Sequence, residues 1–110
     1  SKRRKTKGRK MQTYNVRVRN GALVGIGAQR VKHPFANLIV HREIAVDADG
    51  NYTATGRGYT VTDQETGLAI FTQSKRRDAI RCANEELDRG GRARYALLAE
   101  KCLMAYGSAN

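Results

Sequence analysis

The sequence predicts an α+β fold: an antiparallel β-meander of about five strands, with two C-terminal helices packed on one face. Three observations carry this expectation. Residues 12–19 alternate apolar and polar side chains with period 2, and further strand candidates follow to residue 72, separated by turns rich in Gly, Asn and Asp. From residue 75 onward the apolar period changes to that of a helix. The chain of 110 residues contains one proline and 40% hydrophobic residues, enough for one self-sufficient core but not two.

The first strand covers 12–19, with Tyr14, Val16 and Val18 on one face and Thr13, Asn15, Arg17 and Arg19 on the other. Asn20-Gly21 is a hairpin turn signal, because both residues tolerate positive φ. The partner strand is 22–31, weakened at Gly25 and Gly27. A two-residue hairpin sets Arg19 opposite Ala22 and Arg17 opposite Val24, so that the two arginines share one face of a ribbon next to the N-terminal residues. His33-Pro34 breaks the pattern. A strand at 37–46 follows, then a turn at 47–51, a strand at 52–62 bent at Gly56 and Gly58, a turn at 63–67, and a strand at 68–72.

Ser74 reads as an N-cap for a helix over 75–89, whose apolar stripe is Ala79, Ile80, Ala83 and Leu87. Gly90-Gly91 ends it. A second helix over 92–106 carries Tyr95, Leu98, Ala99, Cys102, Leu103 and Tyr106 at helical spacing. Cys82 and Cys102 fall on the apolar faces and read as reduced core thiols, with a disulfide between the helices as the alternative. No CxxC or HxxxH spacing supports a zinc site, so neither metal nor cofactor is expected.

The net charge is +11, and its placement is uneven. Residues 1–32 hold Lys2, Arg3, Arg4, Lys5, Lys7, Arg9, Lys10, Arg17, Arg19, Arg30 and Lys32 and no acid, whereas the remainder is neutral. A solubilising surface mixes its signs. This asymmetry points to a polyanionic partner, nucleic acid ahead of membrane. Residues 1–10 have nothing apolar to bury and repel themselves, which predicts a disordered basic arm ahead of a single domain over 11–110. No apolar run has the length of a membrane span and no apolar stretch follows the basic residues as in a signal peptide. The expectation is an intracellular, cytoplasmic protein, nucleoid-associated in a bacterium.

Catalytic signatures are sparse. There is no nucleophile elbow, Walker motif or complete dinucleotide fingerprint. The best constellation is His41, Arg42 and Glu43 on one strand, where His41 and Glu43 project to the same face, one pleat apart, and as acid and base suit metal-free RNA cleavage; the alternative is a solvent-facing strand of mixed polar residues. An RNase-like toxin is therefore the third function considered, and no catalytic residue is assigned.

Binding uses more of the sequence. A cationic arm grips phosphates by counterion release, and a folded surface has to supply register. Arg17 with Arg19 offers one such surface, as a two-stranded reader. Lys75, Arg76 and Arg77 in the first helical turn offer another, since cations there oppose the macrodipole unless an anion sits with them; the alternative is that Arg76 and Arg77 point to water. Tyr52 and Tyr59 are an odd number of residues apart and fall on opposite faces, which favours duplex or structured nucleic acid over a stacking platform.

Residues 58–87, GYTVTDQETGLAIFTQSKRRDAIRCANEEL, run aromatic strand, Thr66-Gly67 turn, short strand, Ser74-Lys75 and an alanine-bearing helix. This segment resembles the strand–strand–helix half of the arm-type DNA-binding domains of phage and transposon recombinases. The resemblance implies a sheet that reads the major groove, with Arg57 as a contact. The N-terminal hairpin and C-terminal helix depart from that family. The expected function is a non-enzymatic nucleic-acid-binding accessory protein of a mobile element, with duplex DNA preferred to structured RNA. The alternative is a phage-encoded inhibitor, such as an anti-CRISPR or a transcription inhibitor, that binds a host protein or protein–nucleic-acid complex.

Overall fold

The computed structural model describes residues 11–18 and 21–106. The elements are β1 (Gln12–Arg17), β2 (Leu23–Val31), β3 (Leu38–Arg42), β4 (Ala45–Val46), β5 (Tyr52–Thr53), β6 (Tyr59–Asp63), β7 (Ala69–Gln73) and α1 (Arg76–Tyr106). β1, β2, β3, β6 and β7 form one antiparallel sheet in that order, and β4 pairs with β5 in a separate ribbon. The α+β class and the five-stranded meander are as expected.

Three expectations need correction. The structure gives one C-terminal helix, Arg76–Tyr106, where two were expected; it is kinked at Gly91, with φ 81 and ψ 166. Only that one residue leaves the helical region, in a backbone conformation essentially restricted to glycine, and the helix resumes directly. The helix also starts later than a Ser74 cap implies. The Lys75 carbonyl accepts from Ala79 N at 3.0 Å, so Lys75 is the cap and Asp78 is the acid in the first turn.

The first hairpin is the second correction. Val18 N donates to Ala22 O at 2.9 Å and Gly21 N to Val18 O at 2.8 Å, with Gly21 at φ 89. This is a three-residue connection closed by a glycine bulge, not a two-residue turn. Register shifts by one: Arg17 pairs with Leu23 and Val16 with Val24. Thirdly, the strands expected at 37–46 and 52–62 each divide. Arg42 pairs with Tyr59, and beyond it Glu43 N bonds Gly58 O and Gly56 N bonds Glu43 O. The Glu43 side chain lies so close to Gly56 and Gly58 that a Cβ at either would clash. That close approach turns residues 45–53 out of the sheet as the β4–β5 ribbon.

The sheet's two faces carry separate apolar clusters. Leu38, Val40 and Val61 pack beneath Ala79, Ala83 and Leu87 of α1. Ile39 packs the other way, with Val16, Ile26 and Ala28 of the first hairpin and with Ile44 and Ala54 beside the ribbon. β1 curls over this second face: Gln64 Nε2 donates to Asn15 O at 3.1 Å, and Gly67 rests on the Arg17 backbone. Beyond the kink, Tyr95 OH donates to the fully buried Asp63 at 2.9 Å, which also accepts from Thr66. Burial, then the Asp63 charge, raise the Tyr95 pKa well above its ordinary value. The stripe after Tyr95 is less covered than expected, with Leu98 39% exposed. Cys82 and Cys102 are free and half-buried, not fully buried core thiols.

Candidate nucleic-acid interface

One end of the sheet gathers cations from three separate parts of the chain. Arg42, Tyr59 and Gln73 form a row across β3, β6 and β7. Two residues before Tyr59 stands Arg57; two after Gln73 stands Lys75, followed by Arg76 and Arg77 at the start of α1. Arg42 lies over the Tyr59 ring, its guanidinium carbon 5.4 Å from the centroid, and its Nε donates to Gly56 O at 2.8 Å. Stacking and hydrogen bonding hold the guanidinium flat while the residue stays exposed. Arg76 is half-buried and donates from Nε to Gln29 Oε1 at 2.8 Å, which ties the helix start to β2. Lys75, Arg77 and Arg57 are exposed.

The arginines further along α1 are used differently. Arg81 meets Asp78 at 3.5 Å and Glu85 at 3.6 Å, and Arg89 meets Glu86 at 2.6 Å. Such exposed helical pairs contribute little to stability, because solvent screens them. Among the described residues, Arg42, Arg57, Lys75 and Arg77 form no ion pair with an acid. Two carboxylates lie nearby: Glu43, whose Oε1 is committed to Gly58 N at 3.0 Å, and Asp78 in the first turn of α1, which meets Arg81.

The sequence-predicted residues divide among several places. Lys2, Arg3, Arg4, Lys5, Lys7, Arg9, Lys10 and Arg19 lie outside the described residues. β1 begins at Gln12 opposite Ala28, beside the Gln29 that holds Arg76. The first described residues, Met11 and Gln12, therefore lie on the side of the sheet where Gln29 meets Arg76. Arg17 stands at the other end of β1, about 20 Å away by strand rise. It donates from Nη1 to Gly21 O at 2.7 Å and backs onto Gly67. Arg17 and the first described residues thus stand at opposite ends of β1, and residues 1–10 of the expected adjacency lie outside the described residues. Arg30 is exposed, 5.3 Å over the Tyr14 ring, and Lys32 is exposed at the far end of β2. Arg57, Lys75, Arg76 and Arg77 come together, and Arg42 joins them unforeseen. Alternation along β3 puts its side chain on the face of Val40, but its place beside Tyr59 comes from the long-range pairing of β3 with β6.

His41 is not a solvent-facing strand residue. It is 3% exposed, with Nδ1 2.7 Å from Arg42 O and Nε2 2.7 Å from Thr62 Oγ1. A carbonyl only accepts, so Nδ1 carries the proton, and Nε2 of the neutral ring accepts from the threonine hydroxyl. Burial, partly offset by the bond to Arg42, lowers the His41 pKa. Both nitrogens of the expected acid–base partner of Glu43 are thus engaged. Among the described residues, no group of three or more His, Cys, Asp or Glu is placed to hold a metal ion. Nor is any helix among them long and apolar enough to cross a membrane.

No protein-family model matches the chain, and neither the curated proteins nor the solved structures provide a match.

Proposed function

We propose that this protein binds nucleic acid without catalysis, as an accessory factor that grips the phosphate backbone. The carrying observation is that Arg42, Arg57, Lys75 and Arg77 gather at one end of the sheet with no acid among the described residues paired to them, whereas Arg81 and Arg89 are paired along the helix. Gathering like charges is unfavourable unless polyanion neutralises them. The strongly basic residues 1–10 precede the domain in the chain and extend the footprint along the polymer.

Duplex DNA suits this surface better than a single strand. Tyr14 and Tyr59 are covered by Arg30 and Arg42, so neither presents a bare face for stacking successive bases. Phosphate contacts fix position without reading sequence.

The test is binding of the full chain to duplex DNA and to RNA across a salt series. A Lys75→Glu/Arg77→Glu variant should bind both polymers more weakly. Its log–log salt slope should fall by about one for each phosphate that the variant no longer neutralises. Removing residues 1–10 should lower the slope further, while Arg17→Ala should leave it nearly unchanged. An unaltered slope in the double variant overturns the reading.

A further inference from the structure

Beside the kink of α1, the helix and β7 leave an apolar groove between them. Leu68 and Ile70 wall it on the sheet side, and Leu87 and Leu98 on the helix side. Leu68 and Leu98 are exposed there. The groove holds about 170 Å³. Small-ligand sites take roughly 300–1,000 Å³, so this one suits the side chains of another protein surface. β7 is the outermost strand of the five-stranded sheet, and no residue from Ala69 to Gln73 is charged. It is nevertheless a poor template for a further strand. Val61 pairs with Phe71 and Thr62 with Ala69, so Ile70 is an extra residue that bulges the edge. Side-chain packing, not strand addition, is the mode of contact that this edge allows.

We propose that a second copy of this chain covers the groove, related by a two-fold axis that passes near Gly90. Glu86, Gly90, Arg94 and Leu98 stand four residues apart and all line the groove, so they form one row along the helix. Glu86 and Arg94 are equally distant from Gly90 in the chain. Laying two such rows antiparallel sets Glu86 against Arg94 of the second copy, and Arg94 against Glu86 of the second copy. That reciprocity is what a two-fold contact requires. Both groups are able to pair. Oε1 of Glu86 meets Arg89 at 2.6 Å, which leaves Oε2 for a second cation. Arg94 forms no ion pair among the described residues. At the centre of the row Gly90 has no side chain, and a Cβ on Gly91 would meet no described atom within 4 Å, so the two helices can approach closely. The protein's charge does not oppose this contact. The excess of +11 belongs to residues 1–32, and β1 and β2 lie at the edge of the sheet opposite β7. Arg77 stands thirteen residues before Gly90, roughly 20 Å along the helix, so the antiparallel arrangement turns the two cationic ends away from each other. Both stay free, and self-association needs no polyanion.

Analytical ultracentrifugation of the full chain, without nucleic acid, tests this. Over a concentration series from about 1 to about 300 µM, a reversible monomer–dimer equilibrium is expected, with a dissociation constant on the order of 1–100 µM. Glu86→Arg sets an arginine against Arg94 of the second copy, and Arg94→Glu sets a carboxylate against Glu86; each should weaken the dimer about tenfold or more. The charge swap Glu86→Arg/Arg94→Glu should bring it back to within about threefold of the wild type, because the same two groups meet in exchanged places. Leu98→Asp should leave only monomer. Circular dichroism and urea midpoints check that each variant is folded, and the two charge variants alter exposed side chains, so they keep the test decisive if Leu98→Asp unfolds. Lys75→Glu/Arg77→Glu should lose polymer affinity and keep the dimer. A chain that is monomeric throughout the series, or a charge swap that associates no better than its single variants, overturns the proposal even where polymer binding persists. A dimer that obeys the charge swap but binds no polymer upholds it and removes the nucleic-acid reading instead.

Discussion

On the face beneath α1, β3 contributes Leu38 and Val40; on the opposite face the same strand contributes Ile39 and His41. The neighbouring strand repeats the contrast, with Val61 under the helix and Thr60 and Thr62 facing away, all buried. One face is closed by Ala79, Ala83 and Leu87, small and aliphatic side chains that let the helix lie close. The other is closed only at one side, where Val16, Ile26 and Ala28 meet Ile39, and the rest is a polar-floored cleft. Alternation of side chains lets one set of strands build a stabilising surface and a chemically differentiated one back to back. The difference teaches that burial alone does not mark the core here: Thr62 and His41 are as inaccessible as Val40, but hydrogen bonding satisfies them in place of apolar packing.

The largest expected effect lies on the helix-covered face. Leu38 is fully buried, and Leu38→Ala should destabilise by about 2–5 kcal/mol, because the sheet and helix cannot collapse fully into the space. Urea unfolding with an unchanged m-value checks it. A loss below about 1 kcal/mol means that this face is not the main core.

Thr62→Val tests the other face at nearly constant volume. The valine removes the hydroxyl that His41 Nε2 uses, leaving a buried acceptor unpaired at a cost of about 1–3 kcal/mol. Thr60→Val removes a partner of Thr72, which is exposed and can turn to water, and should cost less. Equal losses in the two threonine variants would mean that the His41–Thr62 bond has no special weight.

Part of this contrast was legible in the sequence, because period 2 in β1 and β6 separates the faces without knowledge of the fold, whereas the apolar run Leu38-Ile39-Val40 of β3 does not say which of its faces the helix covers. What was not legible depended on contacts between distant residues. Asn20-Gly21 suits a two-residue turn, but the hairpin closes at Val18 and Ala22, one residue earlier on the first strand, with Gly21 in the bulge, and that single-residue shift re-pairs Arg17. Glu43 against Gly56 and Gly58 bends two continuous hydrophobic runs into four strands, and the pairing of residues that far apart has no local signature. Gly90-Gly91 marks a helix end locally, yet Tyr95 reaching Asp63 on β6 keeps the helix beyond the kink against the sheet. The cationic end was half visible: Lys75, Arg76, Arg77 and Arg57 stand out as charges, but Arg42 joins them only through strand pairing with Tyr59.

The smallest expected effect is a slope with pH. His41 is buried as the neutral ring, and burial holds its pKa below the ordinary 6.5 even though the bond to Arg42 pulls the other way. Between that ordinary value and the lowered one, the unfolded chain carries a proton on His41 that the folded protein does not, so stability falls as pH decreases through this window and is regained as pH rises above it. Urea midpoints compared from about pH 7.5 to about pH 5.5 should decline in the wild type, and His41→Gln should flatten the part of the decline due to this group. Leu38→Ala should lower every midpoint while keeping the wild-type slope, because Leu38 points to the face opposite His41. A slope shared by wild type and His41→Gln would place the acid sensitivity elsewhere; a slope that vanishes in Leu38→Ala would mean that the two faces do not behave as separate surfaces of one sheet.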